Sequence, residues 1–131
     1  MAGDQAAPDK AMDPAEERKP AAHPVDLAHL SRYTLGNQAL EQEVLELFCT
    51  QSVVYLDQLR AAMSDKPWKD IAHSLKGSAS AVGAWRVAQA AKRAEELQGD
   101  GLMQFRAARI DEIEASLREA EAYIVSVLKD R

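Results

Sequence analysis

From Val25 onward, apolar side chains recur every three or four residues with polar ones between them, the period of an amphipathic α-helix. Glycines, prolines and capping residues divide the pattern. Asp26 caps a short helix that carries Leu27, Leu30 and Leu35 and ends at Gly36. Asn37 caps a second, roughly residues 38 to 63, with Leu40, Val44, Leu47, Phe48, Val54, Leu59 and Met63 near helical spacing. Asp65 as cap and Pro67 in the first turn open a third, with Trp68, Ile71, Leu75, Ala79 and Val82 along it and Gly83 as its stop. A fourth runs from Ala84 to about Gln98, halted by Gly99, Asp100 and Gly101. The fifth runs from about Leu102 to the end, with Phe105, Ile113, Leu117, Ile124 and Val127. Strict alternation of β-branched residues is almost absent, so strands are not expected. Short connections favour antiparallel neighbours, and the expected fold is all-α: an antiparallel up-down-up-down four-helix bundle with a short extra N-terminal helix. The fourth helix has a stripe of small residues, Ala84, Val87, Ala88, Ala91 and Ala94, which brings its backbone close to the third.

The segment before this pattern reads differently. Four of the five prolines, Pro8, Pro14, Pro20 and Pro24, fall at the start, among Ala, Asp, Glu, Lys and Gln with almost no large apolar side chain. Such a composition cannot bury enough surface to offset the entropy of ordering, so residues 1–23 are expected to be a disordered tail or linker and residues 24–131 the bundle.

A length of 131 residues is explained by one domain. The formal net charge of −5 argues against broad electrostatic binding to nucleic acid or to an anionic membrane. The single cysteine, Cys49, can neither close an internal disulfide nor build a zinc site, so the core must hold the fold alone. Apolar runs are only a few residues long, and the N-terminus lacks the apolar stretch of a secretory signal, which points most simply to a cytoplasmic protein. Neither a P-loop nor a dinucleotide-binding glycine pattern occurs, so any chemistry is expected to be done with a partner.

One glycine does not act as punctuation. Gly77 lies inside the third helix, where it costs about 1 kcal/mol relative to alanine and needs a reason. On a wheel of about 100° per residue, Ile71, Leu75, Ser78, Ala79 and Val82 form the core stripe, and His73 points almost directly away from it. Gly77 is one turn beyond His73 on that outer face, Lys69 is one turn before it, and Lys76 and Ser80 are close by. The glycine clears space around an exposed imidazole, and the two lysines supply positive charge where an anion attached to the ring would sit.

The run from Trp68 through His73, Leu75, Lys76, Gly77 and Ser78 to Gly83 and Ala84 resembles the signature of histidine-containing phosphotransfer (HPt) domains, approximately H-x-L-K-G-S-[AS]-x-x-[LIV]-G. The resemblance covers residues 25–131 loosely and is specific over Trp68 to Ala84. It implies a four-helix bundle that carries a phosphoryl group on one histidine, accepting it from an aspartate of a response-regulator receiver domain and passing it to another, within two-component multistep phosphorelays. It further implies that His73 is the phosphoacceptor, Lys76 the lysine near the phosphoryl group and Gly77 the small residue that lets the receiver approach. Glu95 falls where many members carry a Leu-Glu pair in the following helix, with Ala94 in place of the usual leucine here.

The residues argue the same chemistry without the name. A neutral imidazole is a competent nucleophile toward a phosphoryl group at cytoplasmic pH, provided it faces solvent. In-line transfer needs positioning and charge stabilisation more than acid or base groups. No convincing acidic cluster for Mg²⁺ flanks His73, so no intrinsic cofactor or metal is expected, and Mg²⁺ would come with the receiver. Folding the third helix onto the fourth through the turn near Gly83 puts His73 opposite Lys92 to Glu95, where Glu95 can orient a ring N–H. Arg86 and Lys92 can help meet the acidic rim of a receiver. Other candidates read as architecture: His29 as structural or solvated, Trp68 and Trp85 as packing, Cys49 as a buried small hydrophobe, Lys92 and Arg93 as a solvated face.

The reading is therefore a phosphoryl carrier with no nucleotide-binding catalytic domain, a monomer that meets receiver domains or a hybrid sensor histidine kinase and neither nucleic acid nor membrane. The alternative is a helical interaction module that uses the same face without phosphorylation. The dimerisation bundle of a sensor kinase is disfavoured, because such bundles are helical hairpins with a different motif after the histidine.

Overall fold

A computed structural model describes residues 23–131. It contains five helices and, among the described residues, no strand: α1 Leu27–Thr34, α2 Gln38–Ala61, α3 Asp65–Val82, α4 Trp85–Glu95 and α5 Gly99–Lys129. Helices α2 to α5 close a ring in which each packs on the next and α5 returns to α2, while α1 lies across α2 and α3. Cross-links such as Arg93 to Glu112 and Arg86 to Glu119 run in opposite chain directions on α4 and α5, as an up-down bundle requires. No helix among the described residues is long and apolar enough to cross a membrane. Apart from His23, whose ring stacks on Tyr123 with centroids 5.2 Å apart, the expected tail lies outside the described residues.

The caps explain the helix starts. The side chains of Asp26 and Asn37 accept hydrogen bonds from the backbone N–H groups of His29 and Leu40, as expected of these residues. The third helix is entered differently: its N-cap position is Ser64, and the Asp65 carboxylate accepts a hydrogen bond from the Gly99 N–H at 2.9 Å, so it caps α5 across the bundle. That cap helps explain why Gly99, expected to stop a helix, opens one. Accordingly α4 ends at Glu95 rather than Gln98, and α5 begins three residues before Leu102.

Gly83 fulfils its expected role for two reasons. Its φ of +79° is left-handed, and an added Cβ would lie 2.7 Å from the Asp26 carbonyl oxygen. At this close approach the Asp26 N–H donates to the Gly83 carbonyl at 2.8 Å, and Trp85 Nε1 donates to the Asp26 carboxylate at 3.2 Å. His29 packs edge-on against Trp85 and Tyr33 at the same junction, buried as a structural histidine.

The core departs from the expected stripe on α2. Leu45, Phe48, Leu56 and Leu59 are buried there together with the polar Glu41 and Ser52, whereas Leu40, Leu47, Val54 and Met63 are exposed. Apolar residues lie on more than one side of this helix, and packing against α3 and α5 selects among them. Leu35 and Phe105 are likewise exposed rather than core. Glu41 is tolerated inside because Ser31, Thr34 and Arg131 all donate to its carboxylate, at 2.8, 2.9 and 2.8 Å. Cys49 is half-buried rather than buried as expected and lines a groove of about 240 Å³ between α2 and α5; burial, then the nearby carboxylates of Glu121 and Glu46, push its thiol pKa up. The small stripe on α4 behaves as expected: Val87, Ala88, Ala91 and Ala94 are fully buried, and α4 lies closely along α3.

Candidate functional site

The outer face of α3 carries His73, with its side chain 68% exposed. The helix buries Trp68, Ala72, Leu75, Ala79 and Val82 and turns the opposite side to solvent, so the orientation follows from the amphipathic pattern alone. Lys69 and Gly77 are exposed one turn to either side of His73, and Ser80 is half-buried two turns along. A Cβ added at Gly77 would meet nothing, so the glycine leaves open surface beside the imidazole.

The key contact comes from α4. Glu95, its last residue, is only 15% exposed and reaches back to α3 with both carboxylate oxygens. Oε2 lies 2.9 Å from His73 Nδ1 and Oε1 lies 3.1 Å from Lys76 Nζ. Burial alone would raise the Glu95 pKa, but the hydrogen bonds and charges of Lys76 and His73 outweigh it and hold the carboxyl below its ordinary range. An ionised carboxylate can only accept, so Glu95 makes Nδ1 the protonated ring nitrogen, and Nε2 has no partner among the described residues.

The expected supporting residues divide into two groups. Lys76 and Glu95 join His73 in one network. Lys92 lies nearby on α4 but pairs with Glu96 at 2.9 Å. Arg86 is not brought to the site: it bonds Glu119 of α5 at 3.1 Å, about two and a half turns up α4 from Glu95. Arg93 pairs with Glu112 on that same α4–α5 face. One contribution escaped the sequence reading. Trp68, read as packing, also donates its indole N–H to the Ala94 carbonyl at 2.6 Å, next to Glu95. A helical period shows that an indole is buried; it does not show where the N–H points.

Among the described residues, no three His, Cys, Asp or Glu side chains are grouped so as to hold a metal ion. The site is thus an exposed imidazole, a partly buried carboxylate that meets it and lysines alongside. The chain matches the Hpt domain over residues 43–123 and belongs to that family. The fold is similar to that of histidine-containing phosphotransfer protein B (HptB) from Pseudomonas aeruginosa PAO1, seen in its crystal structure, with a TM-score of 0.76 and 24% identity over 85% of this chain and 99% of that one. Comparison with curated proteins gives no match.

Proposed function

We propose that this chain is a phosphorelay intermediate of the cytoplasm, which accepts a phosphoryl group on His73 from a receiver-domain aspartate and returns it to the aspartate of another receiver. The observation that carries the reading is the pair His73 and Glu95: a solvent-facing ring whose Nδ1 is engaged 2.9 Å from a carboxylate. Nε2 attacks phosphorus in line, an N–P bond forms, and the P–O bond to the receiver aspartate breaks with its electron pair returning to that carboxylate. The ring becomes a phosphorylated imidazolium whose proton stays on Nδ1. Glu95 faces that proton and stabilises the positive charge as it develops. Reversal transfers the group onward, with the ring returning to neutrality.

Lys76 and Lys69 lie within a turn of the imidazole and offset the charge of the phosphoryl oxygens. Mg²⁺ held by the receiver would neutralise the rest; among the described residues no three carboxylates, histidines or cysteines gather near His73 to hold a metal themselves. Arg86 and Lys92, each in an ion pair, contribute at most to long-range encounter.

The test uses the purified chain, a receiver phosphorylated beforehand, and Mg²⁺. An acid-labile, base-stable phosphoryl group should appear on the chain and be absent from His73→Gln. Equal labelling of the two, or none of the unmodified chain by receivers from its own relay, would reject the reading, and the second result would favour a non-phosphorylated interaction module.

A further inference from the structure

We propose that Trp68 is a positioning residue for the His73 site, acting through the backbone of α4; the proposal builds on the phosphoacceptor reading of His73. Glu95 is the last residue of α4, and helix ends fray because their final carbonyls lack intrahelical partners. Yet this end must be held firmly enough for one carboxylate to meet His73 and Lys76 together. Ala94, the residue before Glu95, accepts at its carbonyl from the backbone of the turn that follows, the Leu97 N–H at 3.1 Å, and from across the bundle the Trp68 indole N–H at 2.6 Å. Trp68 is fully buried, so the carbonyl is its indole's hydrogen-bond partner in a place where water is excluded.

The arrangement fixes more than distance. Trp68 points inward from α3 and His73 points outward, and the two bind successive residues of α4, Ala94 from inside and Glu95 from outside. Added to the packing of α4 on α3 and α5, these two attachments hold the end of α4 where Glu95 meets His73. Ala72 and Ala79 of α3 and Ala91 and Ala94 of α4 are all fully buried, and these small side chains allow the approach. The indole is held in turn from α5. The Arg106 guanidinium lies 5.8 Å from its ring centroid and donates to the carbonyls of Ala62, at 2.9 Å, Leu59, at 3.0 Å, and Arg60, which close the end of α2. Three helices thus fix the ring whose N–H holds the fourth.

Trp68→Phe keeps an aromatic side chain in the core and removes the donor. Nitrogen NMR of the His73 ring in the unmodified chain should show the Nδ1-protonated form in excess. In Trp68→Phe the ring should move toward the Nε2-protonated form that free histidine prefers, and receiver-dependent transfer should slow by about fivefold or more, with native circular dichroism retained. Glu95→Gln provides the reference for loss of the carboxylate. Should Trp68→Phe fail to fold, replacing Trp68 with benzothienylalanine, which keeps the ring shape and lacks only the N–H, takes its place. An unchanged tautomer, or a changed tautomer with unchanged transfer, overturns the proposal. Absence of phosphoryl transfer to the unmodified chain would instead reject the phosphoacceptor reading, and the tautomer measurement, which needs no receiver, would then decide the role of Trp68.

Discussion

Glu95 divides its carboxylate between the His73 ring and Lys76, and the effect of removing its charge should be local. Glu95→Gln keeps the shape of the side chain and removes the negative charge that faces both the His73 ring and Lys76. Transfer to His73 should fall by roughly tenfold or more in a single-turnover assay, with folding stability changed by only about 1 kcal/mol. The depressed pKa of Glu95 sets the pH window. Its ionised network is complete above the ordinary carboxylate range and is lost as pH falls through the lowered value, so at neutral pH the carboxylate is fully available. Gly77 makes the complementary case. Because a Cβ there meets nothing, Gly77→Gln should leave the free protein as stable or raise its stability by up to about 1 kcal/mol. Transfer from a phosphorylated receiver should nonetheless slow, since the added side chain occupies the approach; an unchanged rate would remove the clearance argument. His73 and Gly77 were legible in the sequence because an outward position on one amphipathic helix is a local property. Glu95 opposite His73 was also expected from folding α3 onto α4, but that the same carboxylate meets Lys76 was not, since that depends on the turn between two helices and on how far α4 extends.

At the scale of the elements, capping and packing separate what short-range pattern can and cannot show. Asp26 and Asn37 cap the helices they directly precede, and both were legible. Asp65 was read as a local cap and instead serves α5, from thirty-four positions away in the chain. Asp65→Ala should therefore lower stability by about 0.5 to 2 kcal/mol in urea denaturation, with amide exchange accelerating in the first turn of α5 more than in that of α3. Faster exchange confined to α3 would show the cap to be local after all. The phase of α2 is the larger correction. Its apolar residues allow more than one inward face, and the one chosen buries Glu41 and Ser52 while leaving Leu47 and Val54 in water. Hydrophobic period alone cannot make that choice, because it depends on which neighbours supply partners.

For the whole molecule, the buried Glu41 joins parts of the chain that are far apart: Ser31 and Thr34 of α1, α2 itself, and Arg131. Burial by itself would raise its pKa, but the hydrogen bonds from Arg131, Ser31 and Thr34 hold it below the ordinary value. Glu41→Gln should cost about 1 to 3 kcal/mol at neutral pH. The folded-state pKa is depressed, so the advantage of the unmodified chain is complete above the ordinary carboxylate range and shrinks as pH falls through the lowered value. Denaturation midpoints measured from pH 7 to pH 3 should show the two proteins converging. A constant difference would mean that the ionised form contributes nothing.

The sequence by itself determined that the chain is all-helical, where most helices begin and end, and that His73 stands on a polar face beside Gly77 and two lysines. Each of these is set by residues within a few turns of one another, where capping and helical period act directly. Only the tertiary structure decided that Glu95 holds both His73 and Lys76, that the Trp68 indole reaches the end of α4, that Arg86 is engaged elsewhere and that α2 buries an acidic residue. Those contacts join positions far apart in the chain. Their geometry depends on the rotation of one helix against the next, which the packing of small alanines and the position of a single turn set together.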